Sequence, residues 1–161
     1  MVYRIPAVNL VGRGCLAQLK DEIGTLGCKK ALVVSDKFLT ENGVVEKVTK
    51  VLDQVGIEHT LYNDVKQNPS VANVEGGLEV LKKENCDFIV SIGGGSPQDC
   101  GKAISVLATN GGKITDYEGV NKSQKKCLPI VAIATTAGTS AEVKINYVIT
   151  DEETHIKMIM V

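Results

Sequence analysis

The chain has 161 residues and a formal net charge of −1, with 43% apolar and 23% charged residues, the balance of a globular domain with a substantial core. A nearly neutral charge without a basic cluster argues against nucleic acid as a partner, and no apolar run reaches the roughly 18 residues of a membrane span. The five cysteines are scattered and form no C-x-x-C pair, which favours reduced thiols and a cytoplasmic protein.

The first half of the chain predicts alternating helices and strands. Residues 3–11 alternate weakly and contain Pro6, which suits an edge strand or an extended arm able to pair with a second subunit. Apolar residues then recur at helical spacing or in short continuous runs. The predicted elements are a helix over Leu16–Leu26, a strand over Ala31–Val34, a helix over Val44–Val55, a strand over Glu58–Tyr62, and a helix capped by Ser70 over Val71–Leu81.

A glycine turn follows the next predicted strand, Phe88–Ile92. Gly93–Gly95 precede a helix-start pattern in which Ser96 is the predicted N-cap, Pro97 the first helical residue and Asp99 the third. Glycines let backbone N–H groups approach a phosphate, and the helix dipole favours negative charge there. The alternative is a tight turn before an ordinary capped helix. One glycine is enough for such a turn, so three favour phosphate binding.

The second half of the chain completes the pattern of an α/β domain. The helix after the glycines ends at Asn110–Gly112, and residues 113–128 are irregular and polar. A strand over Pro129–Ala134 runs into a threonine-rich loop, and a hairpin with strands 145–149 and 156–161 ends the chain. Continuous apolar strands alternating with helices predict a Rossmann-like parallel sheet with helices on both faces, plus a C-terminal β-hairpin.

Three polar loops are predicted to meet at one edge of this sheet. Ser35-Asp36, Gly93–Asp99 and Thr135–Thr139 each follow a strand, and ligands of parallel sheets bind beyond the carboxyl ends of the strands. Asp36 can accept hydrogen bonds from ribose hydroxyls and would repel a 2′-phosphate, which favours NAD over NADP. Taken alone, Asp36 is equally well interpreted as a solvated turn residue or a helix cap. Together the loops predict one nucleotide site in a single dinucleotide-binding domain over residues 1–161.

No catalytic group is evident in the sequence. His59 and His155 are the only histidines, and they lie far apart without any metal-binding spacing. No Ser/His/Asp or Cys/His arrangement is present either. The residues themselves therefore predict neither a metal ligand nor a catalytic residue, and they indicate a dinucleotide-binding domain without a catalytic half.

Two motifs carry a family resemblance. Gly93–Lys102 and Thr135–Val143 closely resemble the iron-activated alcohol dehydrogenases, as do Val33–Lys37, Asn68-Pro69 and Asn146–Glu153. Within that family the chain is similar to the lactaldehyde reductase, 1,3-propanediol dehydrogenase and butanol dehydrogenase group. The resemblance implies NAD-dependent interconversion of primary alcohols or diols and aldehydes, and a dimer whose N-terminal strands pair. It places ten residues near NAD: Asp36 at the adenine ribose, Gly94, Gly95 and Ser96 at the pyrophosphate, Asn68, Asp99, Thr135, Thr136 and Thr139 close by, and Lys157 near the nicotinamide ribose.

Part of the family pattern is not found in these 161 residues. Family members have a further all-helical domain, in which an aspartate and three histidines hold Fe²⁺ or Zn²⁺ as a Lewis acid for the alcohol oxygen. We therefore expect the chain to be the N-terminal cofactor domain of such an enzyme, and to catalyse little by itself. The alternative function is a stand-alone nucleotide-binding module without redox activity.

Overall fold

The computed structural model describes residues 6–161, and a four-stranded parallel sheet lies at its centre. The strands are β1 (Lys30–Val34), β2 (Glu58–Tyr62), β3 (Phe88–Gly93) and β4 (Ile130–Ala134). Their order in the sheet is β2-β1-β3-β4, so the first strand lies between the second and the third. Every neighbouring pair in this sheet is parallel, which confirms the α/β prediction.

Helices cover both faces of the sheet, as the sequence predicts. Successive residues of a strand point to opposite faces, so Leu32 and Ile89 join one core while Val33 and Val90 join the other. The helices are α1 (Leu19–Thr25), α2 (Lys37–Glu41), α3 (Val44–Gln54), α4 (Val71–Lys83) and α5 (Gly95–Asn110), with 3₁₀ turns at Cys15–Gln18 and Ile114–Tyr117. The first core is closed by α4 and α5, and the second by α1 and α3.

The predicted C-terminal hairpin is also present. Its strands, β5 (Tyr147–Asp151) and β6 (Ile156–Met160), pair antiparallel and bury Ile149 and Met160 in the core beneath α4 and α5. The N–H of Thr150 donates to the carbonyl of Pro69 at 2.8 Å. This hydrogen bond fastens the hairpin to the segment that leads into α4, and so it brings the end of the chain close to the loops of the sheet edge.

Two local predictions differ from the structure. Residues 6–11 form no strand and are mostly exposed, which fits an extended arm; residues 3–5 of that prediction lie outside the described range. The short helix α2 is absent from the sequence prediction because five residues are too few to show an apolar stripe. No helix within the described chain is long and apolar enough to cross a membrane.

Candidate functional site

The carboxyl ends of β1, β3 and β4 border a cavity of about 410 Å³. Apolar side chains, among them Phe38 and Val65, form part of its wall. Six of the ten predicted site residues line it: Asp36, Gly94, Gly95, Ser96, Thr135 and Thr136. The convergence of three loops, which the sequence predicts from parallel topology alone, is therefore present in the structure.

The helix after the glycine turn begins earlier than predicted. Gly94 is the N-cap and Gly95 the first residue of α5, so the prediction of Ser96 as N-cap is wrong and Ser96 is the second helical residue. The physical reason is that the backbone of Gly94 already accepts the first helical hydrogen bond, from the N–H of Gln98 at 3.4 Å. No side chain caps this end of the helix.

This uncapped helix end leaves donors free to bind an anion. Among residues 6–161, no acceptor takes the backbone N–H of Gly94, Gly95 or Ser96. Unpaired N–H groups at a helix N-terminus, together with the positive end of the helix dipole, favour phosphate or carboxylate. An N-cap side chain accepts from the second or third helical N–H, so a serine at position 94 would have used the N–H of Ser96, which glycine leaves free for an anion.

The threonine loop packs directly against the glycine turn. A Cβ atom at Gly94 would lie 2.8 Å from Oγ1 of Thr136, closer than real Cβ contacts, whereas one at Gly95 would lie 3.8 Å from Cγ2 of Thr139. The N–H of Thr135 donates to the carbonyl of Gly93 at 3.1 Å and extends the parallel pairing into the loop. Glycine at position 94 thus lets the two loops approach without displacing Thr136, whose hydroxyl lies beside the glycine turn.

Asp36 lies at the cavity and caps α2. Its Oδ1 accepts from the N–H of Leu39 at 2.8 Å, so the helix-cap interpretation is correct as a local description. Within the described chain Oδ2 has no protein donor, and this oxygen can still accept hydrogen bonds from a ligand. The hydrogen bond to Leu39 fixes the carboxylate at the end of β1, so Asp36 can cap α2 through one oxygen and accept from a ligand through the other.

Asn68 and Lys157 lie at the rim of the site. The ammonium of Lys157 donates to Oδ1 of Asn68 at 3.0 Å, and the N–H of Asn68 donates to Oγ of Ser96 at 3.3 Å. This chain of hydrogen bonds connects β6, the loop before α4 and the first turn of α5. It places one positive charge near the N-terminus of α5.

Asp99 faces away from the cavity. Its Oδ2 accepts from the N–H of Val148 at 3.1 Å, and burial raises its pKa although this bond and nearby Lys102 lower it. Burial also lowers the pKa of Lys102, whose ammonium donates to the carbonyls of Ala141 at 2.6 Å and Asn146 at 3.1 Å. This pair ties α5 to the hairpin and to the segment between the threonine loop and the hairpin.

Two residues that the sequence analysis did not select belong to the site. Phe38 lines the cavity with 71% of its surface exposed, which is unusual for an aromatic side chain and could have been suspected from its position after Asp36. Gln98 is buried beneath the glycine turn, where its amide bonds to β3 and β4. A glutamine in the first turn of a helix is ordinarily exposed, so no signal in the sequence indicates its burial.

The described residues contain no metal site. No group of three or more His, Cys, Asp or Glu side chains is placed to hold a metal ion between residues 6 and 161. His59 instead lies 3.5 Å from Asp53 at the surface. The metal that the family resemblance implies does not fit the residues of this part of the chain.

A parallel sheet whose glycine-rich turn leads into an uncapped helix N-terminus defines a Rossmann-like α/β domain. Comparison with known families then identifies the protein family within this class of fold. The model of the iron-containing alcohol dehydrogenases matches residues 6–161, and the chain belongs to that family.

Individual relatives agree with this assignment. Alcohol dehydrogenase 4 of Schizosaccharomyces pombe is 51% identical over 159 residues, which cover 99% of this chain and 38% of that protein. The crystal structure of a 1,3-propanediol oxidoreductase superposes with a TM-score of 0.96 at 42% identity, covering 99% of this chain and 42% of the other. Sulfoacetaldehyde reductase from Bifidobacterium kashiwanohense, solved in complex with NAD⁺, gives 0.88 at 32% identity, with 99% and 42% covered. The chain thus spans about two fifths of the length of these relatives.

Proposed function

We propose that the chain is the NAD-binding domain of an iron-type alcohol dehydrogenase that interconverts primary alcohols or diols and aldehydes. The observation that carries the proposal is the set of free N–H groups at Gly94, Gly95 and Ser96, which open into a cavity beside the threonine loop. A family member of related structure was solved with NAD⁺, which supports a dinucleotide as the ligand.

The pyrophosphate of the dinucleotide would occupy the N-terminus of α5. Its negative charge complements the helix dipole, and its oxygens accept from the free backbone N–H groups. The hydroxyls of Thr135 and Thr136 provide further donors at the same cavity. Lys157, held by Asn68 at the rim, adds a positive charge on the side of the hairpin.

The adenosine half would bind toward α2. Oδ2 of Asp36 accepts from the ribose hydroxyls, while its charge opposes the 2′-phosphate of NADP. The exposed ring of Phe38 offers a face on which the adenine stacks. In the bound dinucleotide the nicotinamide ring supplies the hydride-transfer chemistry, and the residues described here bind and orient it.

The remaining parts of the proposal concern the whole enzyme. The proposal includes an alcohol or aldehyde substrate and a metal ion. It also includes a cytoplasmic location and a homodimer paired through N-terminal strands. A stand-alone nucleotide-binding module is the second candidate, since the same free N–H groups and cavity would serve a nucleotide that undergoes no redox reaction. A polypeptide that continues past Val161 into a helical metal-binding domain, with alcohol dehydrogenase activity, distinguishes the first candidate from the second.

Calorimetric titration of the purified chain with NADH, NADPH and ADP-ribose tests the cofactor site. We expect saturable binding of NADH and ADP-ribose, weaker binding of NADPH, and no binding after Gly94→Val. Gly24→Val is the matched control, because a Cβ at this exposed helix position meets no atom within 4 Å. Absence of binding by all three nucleotides, or equal binding by the Gly94→Val chain, contradicts the proposal.

A further inference from the structure

The side chain of Gln98 connects three structural elements directly beneath the glycine turn. Only 1% of its surface is exposed. Its Nε2 donates to the carbonyl of Ser91 in β3 at 3.3 Å and to the carbonyl of Ile133 in β4 at 3.1 Å. Its Oε1 accepts from the hydroxyl of Ser91 at 2.6 Å. One side chain from the first turn of α5 therefore binds both β3 and its neighbour at the sheet edge, β4.

A buried polar pair at this place calls for a physical reason. Ser91 is fully buried, and its neighbours Val90 and Ile92 in β3 are apolar. Burying an amide and a hydroxyl costs free energy unless both are hydrogen-bonded, and apolar packing would have served cohesion equally well. What the polar pair adds is direction, because hydrogen bonds have a preferred geometry that apolar contacts lack.

The position of Gln98 connects the geometry of these hydrogen bonds with the nucleotide site. Its backbone N–H is the first in α5 to find a helical acceptor, the carbonyl of Gly94. Its backbone thus closes the turn that contains the free N–H groups, while its side chain fixes that turn to β3 and β4. Since Thr135 follows β4 directly, the same amide also holds the threonine loop in place relative to the glycine turn.

We propose that Gln98, with Ser91 as its partner, is a positioning residue that orients the free N–H groups of the glycine turn toward the pyrophosphate. This inference rests on the proposed nucleotide site and deepens it. The residue touches no ligand; it acts through the backbone of Gly94 to Ser96 and through the threonine loop.

A second buried side chain of α5 provides the matched control. Ser105, also fully buried, donates its hydroxyl to the carbonyl of Leu128 at 2.8 Å, and so it ties the same helix to the segment entering β4. It lies far along the helix from the glycine turn. If the hydrogen bonds of Gln98 only stabilise the fold, the Gln98 and Ser105 variants should change ligand affinity in the same way.

The experiment compares Gln98→Met, Ser91→Ala and Ser105→Ala with the unmodified chain. Each is titrated with ADP-ribose at a temperature well below its own melting midpoint, and the ³¹P NMR shift of the bound ligand is recorded. We expect all three variants to melt earlier. We expect ADP-ribose to bind about tenfold more weakly to Gln98→Met, the equivalent of one lost hydrogen bond, with a changed ³¹P shift. We expect less than a twofold change for Ser105→Ala.

The outcomes separate this inference from the proposed function. If the unmodified chain binds no ADP-ribose, both are wrong. If it binds and Gln98→Met binds within twofold of it with the same ³¹P shift, the positioning role alone is overturned. Should Gln98→Met fail to fold, Ser91→Ala, which deletes only one hydroxyl, decides the question: about threefold weaker binding supports the role, and unchanged binding refutes it.

Discussion

Gly94→Ala isolates the closest contact in the site. Gly94 has φ −78° and ψ −155°, an extended conformation that alanine adopts freely, so the substitution introduces no backbone strain. The new Cβ would lie 2.8 Å from Oγ1 of Thr136 and 3.6 Å from its Cγ2. Because both atoms belong to one side chain, the effect of the substitution depends on whether Thr136 can move.

The location of Thr136 determines the magnitude. It is exposed in a loop, so it can rotate or shift away from the new methyl group, and the stability cost stays below the roughly 1–3 kcal/mol of overpacking in a closed core. The displaced threonine and the added methyl group both occupy the cavity beside the free N–H groups. We therefore expect less than about 1 kcal/mol loss in the free energy of unfolding, but about tenfold or greater loss of ADP-ribose affinity.

A double-mutant cycle checks this reasoning. Thr136→Ala removes both close atoms and leaves its Cβ 3.8 Å from the new methyl group, an ordinary contact. Calorimetric affinities and urea unfolding are measured for Gly94→Ala, Thr136→Ala and the double variant. We expect the double variant to bind more tightly than the product of the single effects predicts. Additive effects, or unchanged affinity in Gly94→Ala, would show that the contact with Thr136 does not control access to the site.

Three further predictions address other residues. Asp36→Asn keeps an oxygen for the N–H of Leu39 but removes the charge, so we expect an unchanged melting temperature and a smaller preference for NADH over NADPH in competitive titration; an unchanged preference would refute the ribose role. Phe38→Ala removes a mostly exposed ring, and we expect about tenfold weaker binding of ADP with no loss of stability; equal ADP affinity would rule out stacking. Burial raises the pKa of Tyr62 to about 12, and in its protonated form the hydroxyl donates to the backbone carbonyl of Asn73 at 2.8 Å. Between pH 10 and 12 the folded chain keeps a proton that the unfolded chain releases, so stability falls as pH rises through this window. Thermal melts should show a smaller decline for Tyr62→Phe, and parallel declines would exclude this role.

The fold followed from local sequence patterns because each pattern has one main physical cause. The four-residue run at Ala31 predicts β1 because both faces of a parallel strand are buried, and the stripe from Val44 predicts α3 because one helix face packs on the sheet. Ser70, predicted from its residue type to cap α4, forms a capping box with Asn73 at the start of that helix. Parallel order then brings the loops after these strands to one edge.

The same local rules failed where tertiary contacts outweigh them. Ser96 has the residue type of an N-cap, but Gly94 is the N-cap of α5, and the hydroxyl of Ser96 instead accepts from the N–H of Asn68. Asp99 follows the start signal at a plausible spacing, but the hairpin uses its carboxylate to accept from Val148. Both side chains are engaged by segments distant in sequence, which periodicity and capping rules do not include.

What the sequence by itself determined was the class of fold, the sheet edge at which the polar loops meet and the family, since apolar periodicity and glycine-rich turns are local properties of the chain. Only the tertiary structure decided which donors are free, which carboxylate faces the cavity and that Gln98 is buried. Those features depend on distances of a few ångströms between residues far apart in sequence, such as Gln98 and Ile133, and such distances are set by how helices and strands pack against one another.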